Sequence, residues 1–353
     1  MSKPIFPNLD TTSRRDFLKT GAAASAALLT GAPFVLGEDK ANTKAPILGD
    51  GAHRYECLHD WGQLPPDIAY GNTHGVAEDA QGRIYIKHTV HKSSQKGDAI
   101  VVFDADGKFI KSWGAEFRGG AHGMHLAKEG NQEFFYLCDT NRKLVVKTTL
   151  DGEMVWERGY PEEAGGYKKG DEYVPTNVAT APDGTVYVAD GYGRNYIHIY
   201  KPDGTYVKTF GGTGSKPGHT SCPHGIMVDT RGEKPLLVIA DRGNRRLQYF
   251  TLDGEHVKFV TEELRAPCHF DQYGTDLLIP DLEARVTIFD KDNKLITHLG
   301  DGTHYNGIRD KERSAFTPGK FVAPHGAMFD SKGDIFVVEW VEVGRVTKLR
   351  RLA

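Results

Sequence analysis

PHGIMVDTRGEKPLLVIADRGNRRLQYFTLDGEHVKFVT, residues 223–261, holds one complete structural unit. A His-Gly pair leads into a short apolar run (GIMV) and a turn. A β-branched run (LLVIAD), a polar loop (RGNR), a third run (RLQYF), an Asp-Gly turn and a fourth run (HVKFV) follow. Each run is short and none keeps a helical period, so the segment predicts four antiparallel strands. Asp253-Gly254 suits the left-handed turn of a two-residue hairpin. The same turn recurs at Asp106-Gly107, Asp151-Gly152 and Asp203-Gly204, with Asp292-Asn293 in the fifth unit.

The opening of the unit recurs as well. His74 (NTHGVAED), His122 (AHGMHLAKEG), His224 (PHGIMVD), His269 (PCHFDQYG) and His325 (PHGAMFD) stand at or just before a first run, and Asn177 (PTNVATAPDG) takes that place in one more unit. Successive members lie 45 to 56 residues apart, the period of a four-stranded propeller blade. The units are 74–114, 122–159, 177–211, 224–261, 269–300 and 325 onward. The last has only three runs, while RYECLHDWG, ahead of His74, resembles the fourth runs FIKSWG and YVKTFG. The expected fold is therefore an all-β, six-bladed β-propeller whose N-terminal strand completes the last blade and hides the open sheet edges. In a closed ring the repeated imidazoles point at one axis, which predicts a metal site.

Residues 1–37 read as an export signal and 38–353 as the propeller. Ser13-Arg14-Arg15-Asp16-Phe17-Leu18-Lys19 is a twin-arginine pattern, followed by an Ala/Gly-rich stretch from Gly21 to about Gly37 that is too short and small-sided to span a membrane. The expected destination is the periplasm or the exterior. No cysteine follows the stretch to carry a lipid anchor. The whole chain has a formal charge of −3. The signal contributes four basic against two acidic residues, leaving the remainder near −5. Without a basic block, nucleic acid and anionic membrane surfaces are poor partners. Cys57, Cys138, Cys222 and Cys268 lack metal-type spacing, and the sequence leaves a Cys222–Cys268 disulfide open.

The second runs end in related phrases: CDTNRKL, ADGYGRNYI, ADRGNRRL and PDLEARV. This pattern resembles the NHL repeat, in which the Asp and Arg tie the turn between two strands. The succession PTNVATAPDGTVYVADGYGRNYIHIY, PHGIMVD…LLVIADRGNRRLQYF and PHGAMFD further resembles the lyase domain of peptidylglycine α-amidating enzymes, over blades two to four and the opening of blade six. That resemblance implies a zinc ion held by three histidines from alternate blades, and cleavage of a peptidyl-α-hydroxyglycine to a peptide amide and glyoxylate. Carried across by motif, the zinc ligands fall on His122, His224 and His325, the catalytic tyrosine on Tyr192 and the arginine on Arg242. Three neutral imidazoles with an open fourth position suit catalytic zinc, which acidifies a bound water or hydroxyl. An arginine beside a phenol favours phenolate, so Tyr192 becomes a base for the substrate hydroxyl. Lys87, Arg194 and Arg142 are unranked candidates for holding a substrate carboxylate.

The departures matter too. Gly326 stands where that family has an acidic residue contributing to a structural calcium, which puts calcium in doubt. His74 and His269 are extra imidazoles without a family role. Blade one has Lys87-His88 in place of the usual Ala-Asp ending, with His91 in an insertion. Such a place suits a second metal or a different acidic substrate. No hydroxylating domain is recognised, so a lyase here would receive its peptide or small-molecule substrate from a separate enzyme. Two rival classes are a lactonase-type hydrolase, which ordinarily binds its cation through Glu, Asn and Asp, and a non-catalytic binding propeller. The sequence leaves the substrate and the oligomeric state open.

Overall fold

The computed structural model describes residues 45–168, 172–302 and 304–352; the signal segment 1–37 lies outside the described residues. Among these, the strands form six antiparallel sheets arranged as a propeller, and the only helices are short 3-10 turns. No helix of the described residues is long and apolar enough to cross a membrane. Blade 4 shows the pattern: Pro223–Asp229, Leu236–Asp241, Arg246–Phe250 and His256–Val260 pair in sequence order.

The ring closes as the sequence predicts. Tyr55–Leu58 pairs antiparallel with Arg345–Arg351, matching Cys57 to Leu349. A further strand, Ile47–Leu48, adds to its outer edge and makes the closing sheet five-stranded. Buried apolar clusters fill the seams between neighbouring blades. Alternation along one strand supplies both sides: Val186 and Val188 face blade 2, whereas Tyr187 and Ala189 face blade 4.

The Asp-Gly turns differ in one respect from the expectation. Gly107, Gly152, Gly204 and Gly254 have φ of 82°, 89°, 79° and 84°, and Asn293 has 61°. The hairpins are nevertheless three-residue loops, not two: Thr251 N–H donates to the Glu255 carbonyl and Gly254 N–H to Thr251. The left-handed residue therefore follows a type I turn as a bulge.

The acid at the end of the second strand ties its turn in blades 2 to 6, as in the NHL pattern, while blade 1 ends in His88. Asp241 accepts from Ser221 N, Asn244 Nδ2 and Arg246 Nε. In blade 6 Glu339 replaces it, accepting from Val322 N, Ala323 N and the buried Arg345 guanidinium. These ties fix the loops at the mouth of the channel where the inner strands begin.

Candidate metal centre

Four imidazoles converge at that mouth. His74, His122, His224 and His325 are all at least nine-tenths buried. His122 is the hub, with its ring centroid 4.8 Å from His74, 4.9 Å from His224 and 4.8 Å from His325. His224 and His325 lie 4.6 Å apart. Ligand atoms of His74, His122 and His325 fall within 4.8 Å of one another, the one cluster of His, Cys, Asp or Glu among the described residues suited to share an ion. The tightest trio thus contains His74 where the alternate-blade set has His224.

The alternate-blade set is distinguished by how its rings are held. His122 Nδ1 donates to the Thr176 carbonyl at 2.7 Å, His224 Nδ1 to Cys268 at 2.8 Å and His325 Nδ1 to His74 at 3.3 Å. A carbonyl only accepts, so each neutral ring carries its proton on Nδ1 and keeps a lone pair on Nε2. Burial holds the rings neutral, lowering His122 to about 3 and His224 and His325 well below the ordinary histidine value. This is the orientation that metal-binding histidines adopt.

The His-Gly pairing has a steric cause. A Cβ at Gly123 would sit 2.3 Å from the Thr176 carbonyl oxygen; at Gly225 it would sit 2.6 Å from that of Cys268, and at Gly326 2.6 Å from that of His74. These are the carbonyls that receive the histidine protons. Glycine lets the next blade come close enough to clamp the ring before it, and it leaves no room for an acid at position 326.

Tyr192 and Arg242 meet this cluster. The Tyr192 hydroxyl lies 3.2 Å from His122 Nε2 and 3.0 Å from His224 Nε2, and accepts from Arg242 Nη2 at 3.3 Å. The residue is 43% exposed, with its hydroxyl turned to the two imidazoles. Arg242 pulls the phenol down, yet burial outweighs it and pushes the group up to about 12. Without a bound cation Tyr192 is a neutral phenol, able to donate to one imidazole lone pair. Arg242 also contacts Cys222 Sγ at 3.2 Å and Cys268 Sγ at 3.7 Å, and both cysteines are free thiols.

Other candidates lie outside the cluster. Asn177 accepts from the backbone N–H of Val178. His269 makes no ring contact with the four; its ring bonds the Ala327 backbone while Nδ1 is buried without a partner. The inner strand of blade 5 begins only at Asp271, which displaces His269 from the shared register. Lys87 is fully buried in the seam between blades 1 and 2, donating to the carbonyls of Gly123 and Cys138 at 3.0 and 2.8 Å; burial lowers it to about 7. His88 Nδ1 accepts from Gly71 N and Val90 N, so it organises the blade-1 insertion. Arg142 pairs with Asp139 of its own turn, and Arg194 pairs with Glu172 beside Tyr192.

The cation missed by sequence is Arg309. It lies in the long connection between blades 5 and 6, with its guanidinium 3.6 Å from the Trp340 ring centroid and Nη2 donating to Asn72 Oδ1 at 3.0 Å. Its charge is felt at His74. Among the described residues no carboxylate pairs with it. No repeat phrase marks this connection, so no sequence pattern singled it out.

The model of the twin-arginine translocation pathway signal sequence matches residues 11–31 and supports export by that route. Human NHL repeat-containing protein 3 is 27% identical over 233 residues, 62% of this chain and 64% of that protein. Peptidyl-glycine alpha-amidating monooxygenase B of Xenopus laevis is 29% identical over 179 residues, 48% of this chain and 19% of the enzyme. The chain thus spans less than two thirds of the length of these curated relatives. A gluconolactonase from Xanthomonas campestris superposes with a TM-score of 0.58 at 15% identity, over 87% of this chain and 96% of that one, a likeness of fold alone. The blade repeat, the ring closure and these matches make the chain a six-bladed β-propeller similar to NHL-repeat proteins and to the peptidylglycine amidating enzymes.

Proposed function

We propose that the protein is an exported, zinc-dependent lyase that splits the carbon–nitrogen bond of an α-hydroxyglycine-type substrate to an amide and glyoxylate, in the periplasm or outside the cell. The observation that carries this reading is the Tyr192 hydroxyl, poised between His122 Nε2 and His224 Nε2 and contacted by Arg242. The donor set fits zinc: His122, His224 and His325 are buried and neutral, and each is fixed by its Nδ1 with an unprotonated Nε2 that a cation could take over from its present hydrogen-bond partner. Calcium prefers oxygen ligands, whereas the ligand atoms grouped here are imidazole nitrogens. A divalent cation on these nitrogens would supply the positive charge that stabilises a deprotonated oxygen beside Tyr192.

The chain's own groups have separate tasks. With a cation on the imidazoles favouring its phenolate, the Tyr192 oxygen would take the α-hydroxyl proton. As the carbon–nitrogen bond breaks, the carbon–oxygen bond becomes the carbonyl of glyoxylate, the electron pair stays with nitrogen, and Tyr192 would return the proton to it as the amide departs. Arg242 holds the phenol oxygen in place. Arg309, stacked on Trp340 and without a carboxylate partner among the described residues, receives the substrate carboxylate.

Tyr192→Phe is expected to lower kcat by about 10²- to 10⁴-fold, the usual span for a proton-transferring group, while bound zinc stays at the wild-type level. Arg309→Met is expected to raise KM about 10- to 100-fold, as for a lost charge-assisted bond of about 1.5–3 kcal/mol. The effect should vanish for a substrate whose carboxylate is masked as an amide, which steady-state kinetics on the two substrates will check. The central test is zinc content of the exported protein together with glyoxylate release from α-hydroxyglycine compounds. A metal-free protein that folds normally and releases no glyoxylate would favour a binding propeller.

A further inference from the structure

His74 does not follow the rule that holds its neighbours. Among the described residues no backbone carbonyl receives a proton from its ring. Its Nδ1 instead lies 3.3 Å from His325 Nε2. Because His325 Nδ1 is already committed to donating to the His74 carbonyl, its Nε2 carries a lone pair, and the proton between the two rings belongs to His74. His74 therefore holds His325 from both sides: its carbonyl fixes the ring, and its own N–H occupies the lone pair that a cation needs.

A cation on His325 Nε2 removes that hydrogen bond and would face the His74 N–H. That arrangement is repulsive, and moving the ring proton to the other nitrogen relieves it. Nδ1 then offers a lone pair to the same cation. The spacing agrees. Zinc–nitrogen bonds of about 2.0–2.1 Å in a tetrahedral shell place neighbouring nitrogens about 3.3–3.4 Å apart, the separation already present between His74 and His325.

We propose that His74 is a fourth ligand of the ion held by His122, His224 and His325, and that it is the exchangeable one. This rests on the reading of the cluster as a zinc site. Three ligands are clamped by carbonyls of adjoining blades, whereas the His74 ring packs on His122 and His325 and, among the described residues, hydrogen-bonds only the His325 Nε2 lone pair. A substrate oxygen would displace it at the least cost, so the resting site is closed by four imidazoles and opens on binding.

X-ray absorption on the exported zinc-loaded protein tests this directly. The expected wild-type spectrum fits about four imidazole nitrogens, falling to about three with an added oxygen in His74→Ala. The cobalt-substituted proteins should show a matching change in d–d absorption, and chelator competition a zinc affinity weaker by about tenfold or more. Three imidazoles in the wild type, or identical spectra and affinities in both proteins, would overturn the proposal and leave the lyase reading standing. A wild type that binds no zinc would overturn both. Should His74→Ala fail to fold, the imidazole count in the wild type decides alone.

Discussion

Alanine at His122 is expected to empty the metal centre and abolish glyoxylate release. His122 is the hub of the cluster, in ring contact with His74, Tyr192, His224 and His325. It belongs to the alternate-blade set and to the tightest trio alike. Losing a partner outside the ligand shell usually weakens metal binding by about 10–100-fold, so losing the central ligand should cost at least about a hundredfold. Elemental analysis after dialysis against a chelator should give about one zinc per chain in the wild type and almost none in the variant. The side chain bonds one carbonyl, so the β-sheet circular dichroism should persist. Full zinc retention by a folded His122→Ala protein would sink the histidine ring as the metal centre.

Gly123→Ala should disrupt the same place through the backbone. The new methyl would lie 2.3 Å from the Thr176 oxygen and 2.8 Å from the Asn177 Cα. Neither belongs to a flexible side chain, so the seam between blades 2 and 3 must open. That forfeits the Gly123 N–H and His122 Nδ1 bonds to Thr176. Overpacking with loss of buried bonds puts the expected destabilisation at about 3 kcal/mol or more. Gly232→Ala is the control: its nearest neighbour is the Lys234 carbonyl at 3.7 Å, and the change should stay within about 0.5 kcal/mol. Denaturant unfolding of the two variants checks both values. Equal stabilities would show that the close approach of blades 2 and 3 is not needed.

The Tyr192 environment combines a charge that sequence position places with a burial that it does not. Adjacent turns place Arg242 beside the phenol, and the sequence reads that much from repeat positions. Whether a phenol ionises depends on the balance of charge against burial, and burial is set by four blades closing around it. Likewise Lys87 and Arg142, plausible anion holders by charge alone, are consumed by a blade seam and by a turn. Arg309 gained its place through a long connection that carries no repeat signal.

Periodicity alone determined the number of blades, the strand order, the Asp-Gly turns and the closing strand, because these follow from local pattern and from the need to pair an open edge. Position within the repeat also marked which histidines would approach a common axis. Only the tertiary structure decided which of them meet. His269 falls out of register because its inner strand starts late, and Asn177 turns to its own backbone. His74 joins the cluster because the ring closure sets blade 1 against blade 6. Such contacts depend on distances across seams between residues far apart in the chain, and a repeat phrase encodes no distance.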